Sequence, residues 1–167
     1  MDNSKMDNST KEYIFGSIFL LANKLQTLGD TVLEKITLKQ WLLLIVIFNM
    51  KKKQPSVTEI AESMGGTRQN VRKMLEVLSA KGYVTLCVNK RDKRNLSVAL
   101  TEQTFLFFTQ FEAKGAAFLE QLFAGIHPDL QENTRITVEA LFNNLEKMKT
   151  PGSDGLYAGG VDGRNLD

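Results

Sequence analysis

The sequence predicts a mainly α-helical fold that includes one small β-hairpin. Apolar side chains recur every three or four residues along most of the chain, which is the spacing of an amphipathic helix. The Gly65–Gly66 pair separates two short stretches of this kind, and paired glycines favour a tight turn between helices. Apolar and polar residues alternate in residues 84–88 and 96–100, which indicates two strands.

The 167 residues are expected to form one domain with an arm at each end. Residues 1–10 are polar and lack the basic and apolar regions of a signal peptide, so we expect a flexible N-terminus and a cytoplasmic protein. Residues 150–167 contain five glycines and few apolar side chains, which predicts a flexible tail. The folded domain is therefore placed at residues 11–149.

Two helices are predicted before the central motif. The first is expected over residues 12–28, where the Gly29–Asp30 pair would end it. The second begins at Thr37, which has the spacing of a capping box with Gln40. Residues 41–48 are apolar on all sides of this helix, so we expect it to be central and buried.

Two more helices are predicted after the hairpin. Thr101 is expected to cap a long helix that continues to about Ala124, and Gly125 interrupts it. Pro128 suits the first turn of the last helix because its missing N–H has no partner there in any case. Both helices carry many large apolar side chains.

The centre of the chain has the pattern of a helix-turn-helix. Ser56 and Glu59 can form a capping box at the start of one helix, and Thr67 can cap a second helix that runs to about Lys81. In this arrangement the second helix enters the major groove of double-stranded DNA with its N-terminus first. Arginine suits guanine edges, asparagine and glutamine suit adenine, and lysine suits phosphates. The polar residues expected on the outer face are Thr67, Arg68, Gln69, Asn70, Arg72 and Lys73.

The two strands would form the wing of a winged helix. Four of the seven residues in the connecting tip, residues 89–95, are cationic, which disfavours a buried loop. A cationic hairpin beside a recognition helix can reach along the DNA backbone or into the minor groove. The candidate DNA contacts in this tip are Lys90, Arg91, Asp92, Lys93 and Arg94.

The charge distribution agrees with this assignment. Residues 51–100 contain eleven lysines and arginines against four acids, a net charge of +7, whereas the rest of the chain has ten against fifteen, or −5. A concentrated positive segment that coincides with the motif is the electrostatic pattern of a nucleic-acid-binding face. The alternative is an ordinary solvated surface.

Several short motifs, in this order and spacing, resemble the MarR family of bacterial winged-helix transcriptional regulators. The resemblance extends over about residues 11–149 and departs from the family at Gly65–Gly66 and at Leu86–Cys87. It implies a sequence-specific repressor in which Arg94 enters the minor groove and Asp92 orients it. The matching segments are residues 58–61, 67–71, 78–84, 92–94 and 100–102.

The resemblance also implies a homodimer. The winged helix-turn-helix would occupy about residues 37–100, and dimerisation helices about residues 11–29 and 101–149. Apolar residues in the terminal helices exceed what one small winged helix can cover, and a large exposed apolar surface usually marks a partner. The alternative is that these helices complete the core of a monomer.

Many members of this family bind small, often anionic aromatic ligands between the dimer helices and the winged helix. A ligand pocket of that kind is one expectation here, and the alternative is that the same aromatic residues form ordinary core. The candidate lining residues are Phe15, Phe19, Trp41, Phe48, Phe105 and Phe108.

The remaining composition gives no indication of catalysis or of a cofactor. One cysteine, Cys87, and one histidine, His127, predict neither a disulfide framework nor a metal site. No phosphate-binding loop, nucleophile motif or transmembrane segment is recognisable, so an enzyme and a membrane protein are not expected. Cys87 is interpreted as a small inert side chain rather than an oxidant sensor. The alternative function is a winged-helix interaction module that binds protein or RNA.

Overall fold

The computed structural model describes residues 3–88 and 96–149, with side chains for residues 8–87 and 96–148. Its elements are six helices and one two-stranded antiparallel sheet, which confirms the predicted mainly α fold with a small β-wing. The wing tip and the tail, for which DNA contacts and flexibility were predicted, lie outside these residues. In chain order the elements are α1 (Asn3–Leu33), α2 (Leu38–Asn49), α3 (Val57–Met64), α4 (Arg68–Ala80), β1 (Val84–Val88), β2 (Leu96–Leu100), α5 (Glu102–Leu122) and α6 (Pro128–Lys149).

The described residues divide into two compact units, one that ends at Ala117 and one that begins at Phe118. The first unit holds the winged helix-turn-helix, and α6 belongs to the second. Among the described residues, no helix is both long enough and apolar enough to cross a membrane.

Helix α1 is longer than predicted at both ends. It begins at Asn3, inside the segment expected to be flexible, and it continues past Gly29 to Leu33. The predicted stop at Gly29–Asp30 is wrong because these residues contact the next helix. A Cβ atom on Gly29 would lie 2.9 Å from the Leu38 side chain, and Asp30 Oδ1 accepts a 2.6 Å hydrogen bond from the Leu38 N–H. The glycine permits close packing instead of ending the helix.

Helix α2 begins with the predicted capping box. The Thr37 hydroxyl accepts from the Gln40 N–H, and the Gln40 side chain accepts from the Thr37 N–H. The expectation that the helix is buried on all sides is wrong, however. Leu43 and Leu44 are fully buried, whereas Phe48 is 53% exposed, because only one side of the helix packs on the core.

One hydrophobic core lies between α2, α3, α4, the hairpin and the start of α5. It buries apolar side chains from every one of these elements, and Tyr83 contacts Phe107 edge to face with ring centroids 5.4 Å apart. The fully buried apolar residues include Leu43, Leu44, Ile60, Leu75, Leu78 and Val98.

The hairpin pairs Val84 with Leu100 and Val88 with Leu96, the register expected for two equal strands. Val98 is buried at its centre, and its N–H donates a 2.9 Å hydrogen bond to the Pro55 carbonyl. The chain before α3 therefore joins the inner edge of the wing, which ties the wing to the helix-turn-helix.

The last two helices begin close to the predicted positions. Helix α5 follows Thr101, although the Thr101 hydroxyl donates to the Gly82 and Tyr83 carbonyls, 2.7 and 3.0 Å away, instead of forming the predicted N-cap. It ends at Leu122, and Gly125 takes a left-handed φ of 76° before Pro128 opens α6.

Candidate nucleic-acid interface

The turn between α3 and α4 is built from a left-handed glycine and a capping threonine. Gly65 has φ +61°, a conformation that glycine adopts without strain, and its N–H donates to the Glu62 carbonyl. The Thr67 hydroxyl accepts a 3.3 Å hydrogen bond from the Asn70 N–H. Only residues 65–67 separate the helices, so α4 begins immediately after the turn with its first residues facing outwards.

Helix α4 has one buried face and one exposed polar face. Val71, Leu75 and Leu78 are at most 1% exposed and hold the helix on the core. All six described residues that the sequence predicted for DNA contact lie on the exposed side, and none of them enters the core: Thr67, Arg68, Gln69, Asn70, Arg72 and Lys73. The first turns of α4 therefore present donors and cations to solvent.

The far end of α4 is held by other elements. Lys81 Nζ donates to the Lys35 carbonyl, 2.7 Å away, between α1 and α2. Gln103 Nε2 donates to the Lys81 carbonyl at 3.0 Å, and the buried Thr104 hydroxyl donates to the Tyr83 carbonyl. Because α5 begins with these contacts, the orientation of α4 is coupled to the first turn of α5.

A second group of charges surrounds the start of α3. Lys52 Nζ lies 2.9 Å from both carboxylate oxygens of Glu59, and the Ser56 N–H donates to Glu59 Oε2 at 2.6 Å. The Ser56 backbone donor, then Lys52 and the Ser56 hydroxyl, lower the pKa of Glu59 from 4.5 to about 2. Of the three lysines at positions 51–53, Lys52 is thus engaged in an ion pair rather than displayed alone.

Glu76, a charged residue on the outer face of α4, was not among the site residues predicted from the sequence. Arg72 Nε donates a 2.9 Å hydrogen bond to Glu76 Oε1, and both side chains are more than half exposed. The i,i+4 spacing could have predicted this pair.

The wing contributes its two strands to the described structure. The cationic candidates Lys90, Arg91, Lys93 and Arg94, and the proposed orienting residue Asp92, lie outside the described residues, so their roles stay predictions. Cys87 is partly exposed on β1, and the Ser97 hydroxyl is 3.4 Å from its carbonyl oxygen. Within residues 3–88 and 96–149, no group of three or more His, Cys, Asp or Glu residues could hold a metal ion.

The six aromatic residues predicted for a ligand pocket fall into separate groups. Phe48 contacts Phe105 and Phe108 edge to face, with centroids 6.1 and 5.8 Å apart. Phe15 and Phe19 contact each other on α1 at 5.2 Å, and Trp41 packs beside the core. A cavity of about 110 Å³ lies elsewhere, between the end of α1 and α5, and none of the six residues lines it.

Known proteins share this architecture. Residues 35–95 match the sequence model of the MarR family. The chain is 21% identical over 145 residues to the HTH-type transcriptional regulator PrsX of Escherichia coli, a match that covers 84% of this chain and 86% of that protein.

Two solved structures extend the comparison to the fold. A MarR transcriptional regulator from Methanosarcina mazei Go1 has a TM-score of 0.72 at 19% identity, over 82% of this chain and 99% of that one. The S. aureus MepR–DNA complex has a TM-score of 0.66 at 18% identity, over 80% and 96%. At these identities the structural likeness establishes a shared fold.

Proposed function

We propose that the chain, a DNA-binding transcriptional regulator of the MarR family, is a homodimeric repressor that a small aromatic ligand releases from its operator. The observation that carries the proposal is the amphipathic α4: its apolar side is buried, and the polar side of its first turns is exposed directly after a three-residue turn. This is the geometry with which a recognition helix enters the major groove.

We assign base and phosphate contacts to this face and to the wing. Arg68, Gln69 and Asn70 lie in the first turn of α4, where side chains reach base edges, and Arg72 and Lys73 follow one turn later. The wing tip, residues 90–94, would add phosphate contacts and place Arg94 in the minor groove. The concentration of positive charge in residues 51–100 supports both assignments.

A homodimer is supported by the apolar side chains that the isolated chain leaves exposed. On α1, Phe15 and Phe19 are 67% and 59% exposed, and on α6 Phe142 is 65% exposed. A helix that exposes several large apolar side chains usually marks a partner surface. A second copy that covers it would bring two recognition helices to one pseudo-palindromic site, with half-site centres about 10–10.5 base pairs apart.

The proposal also covers how the protein represses transcription and how a ligand releases it from DNA. A dimer seated on a promoter would exclude polymerase, and a ligand that changes the spacing of the two α4 helices would weaken the complex. We place the ligand near Phe48, Phe105 and Phe108, since the Phe48 ring contacts the other two while Phe48 and Phe105 stay about half exposed.

Selection of DNA fragments by the pure protein tests the proposed function. The expected result is a site with internal two-fold symmetry, bound with an affinity that falls steeply as salt is raised. Light scattering of the same sample should give twice the chain mass of 18.8 kDa. If no DNA sequence is enriched and the protein captures RNA or another protein instead, the chain is an interaction module.

A further inference from the structure

An acidic residue lies on the outer face of α4, among the residues assigned to DNA. Glu76 Oε1 is 2.9 Å from Arg72 Nε, and the two side chains are 52% and 57% exposed. Lys73 is also within one helical turn of Glu76, but it forms no ion pair with any residue in ranges 3–88 and 96–149. The carboxylate is therefore directed to the arginine rather than shared between the two cations.

The contact restricts which part of the Arg72 guanidinium can meet another molecule. Bonding through Nε uses the side edge of the planar group, and neither terminal nitrogen forms a hydrogen bond to Glu76. Two terminal N–H groups match the O6 and N7 acceptors of guanine, the commonest specific contact in the major groove. An arginine held by a carboxylate also loses less rotamer freedom when it binds, because its plane is already oriented.

We propose that Glu76 is a positioning residue that holds Arg72 in the orientation for reading one guanine in each half-site. This inference rests on the proposed DNA-binding function and adds a specificity-determining residue to it. The recognised feature of the DNA is a G·C base pair. Arg72 would contact it end-on, and Glu76 would contact only the arginine.

Helix stabilisation alone is a weak explanation for the pair. An exposed ion pair contributes little to folding, and the order Arg followed by Glu is the less favourable one along a helix. Against DNA, the Glu76 carboxylate is repelled by nearby phosphates because both groups are anionic. Glu76 is therefore expected to lower affinity for DNA in general while it sharpens the choice of sequence.

The two opposed effects can be measured with Glu76→Gln in the full-length protein. The wild-type protein first selects its site from random duplexes. Binding is then titrated on that site, on sites in which single G·C pairs are replaced by A·T, and on a scrambled duplex. We expect discrimination at one base pair of each half-site to fall about fivefold or more, while affinity for scrambled DNA is unchanged or rises.

Three further variants separate positioning from other roles. Glu62→Gln removes the same charge from the neighbouring α3 and should leave discrimination unchanged. Glu76→Asp, which keeps the charge on a shorter side chain, should retain part of it. In an Arg72→Ala protein, which has lost that discrimination, Glu76→Gln should cause no further loss. Circular dichroism establishes that each variant is folded.

The outcomes distinguish the inference from the function on which it rests. If Glu76→Gln weakens cognate and scrambled DNA by the same factor, Glu76 is structural and the inference is wrong. If Glu76→Gln reduces discrimination even without Arg72, Glu76 reads a base itself and the positioning role is also wrong. If the wild type selects a site and Glu76→Gln keeps the wild-type preferences, the inference alone fails. A wild type that selects no sequence overturns the proposed function as well.

Discussion

Helices α1 and α4 lie in the same compact unit, but α4 buries most of its apolar side chains whereas α1 leaves most of them exposed. In α4, Leu75 and Leu78 are fully buried, and the polar residues face outwards. In α1, Phe15 and Phe19 are more than half exposed, and the helix reaches the core only near its end, where Leu33 is 4% exposed. One helix completes its packing within the chain, whereas the other leaves most of its apolar surface open.

This difference fits two requirements of the proposed homodimer. The position of α4 is determined by contacts within one chain, so each copy would carry its own recognition helix. The exposed side of α1 would be covered by the second copy, since burying one large aromatic side chain stabilises by about 1.5–3 kcal/mol. In the proposed homodimer, pairing through α1 and the C-terminal helices would determine only how far apart the two recognition helices lie.

The largest effect is expected from Leu75→Ala, which breaks the packing of α4. The side chain is 0% exposed, so its truncation should leave a cavity and lower the free energy of unfolding by about 2–5 kcal/mol. Val77→Ala in the same helix is the control, because Val77 is 43% exposed and should lose less than about 1 kcal/mol. Urea denaturation measures both. Equal losses for the two variants would contradict the buried and exposed faces assigned to α4.

The next largest effect is expected from Phe19→Ser, which removes an exposed aromatic side chain from α1. The residue is 59% exposed in one chain, so its loss should change the unfolding of the subunit little and raise the dimer dissociation constant about tenfold or more. Sedimentation at a series of concentrations measures this constant, and Asn23→Ser is the control on the same helix. A wild-type protein that remains a monomer at micromolar concentration would contradict the role assigned to α1.

How well the sequence predicts each helix depends on whether the interactions that determine its ends are local or come from other elements. The starts of α2, α3 and α4 follow from capping residues three positions apart, and the structure contains those hydrogen bonds. The end of α1 could not be predicted in this way, because Gly29 is buried against Leu38 from the next helix. Helical periodicity likewise identified α2 as apolar, but it could not indicate which side packs on the core.

The candidate site was predictable to a similar extent. The exposed residues of α4 lie before and between Val71 and Leu75, which are buried and four positions apart. Their outward position therefore follows from the helical period. Glu76 was overlooked because an acid is not expected on a DNA-facing surface, although its i,i+4 spacing from Arg72 could have predicted the ion pair.

Arg68→Ala and Arg94→Ala should have intermediate and different effects on DNA binding. Arg68 opens α4, so its loss should cost about 1–3 kcal/mol on the cognate site and relax the preference at one base pair of each half-site. Arg94, assigned to the wing from the sequence, should weaken cognate and scrambled DNA more evenly and flatten the salt dependence. Asp92→Ala should give a weaker form of the Arg94 defect. Titrations of the three variants at several salt concentrations measure these effects. Unchanged specificity in Arg68→Ala would contradict the base contact assigned to the start of α4.

The smallest effect is expected from Glu59→Gln, which removes the charge from the capping bonds at the start of α3. The bonds from Ser56 and Lys52 lower the pKa of Glu59 from 4.5 to about 2, so they favour its charged form in the folded protein. A lowered pKa contributes stability above the unfolded value, and that contribution is lost as the pH falls from about 4.5 towards 2. The wild type should therefore be more stable than Glu59→Gln near neutral pH, and the difference should shrink over this interval. Urea denaturation at several pH values measures it, with Glu62→Gln as the control for removing one charge from α3. A difference between wild type and Glu59→Gln that stays constant down to pH 2 would mean that the capping bonds do not depend on the charge of Glu59.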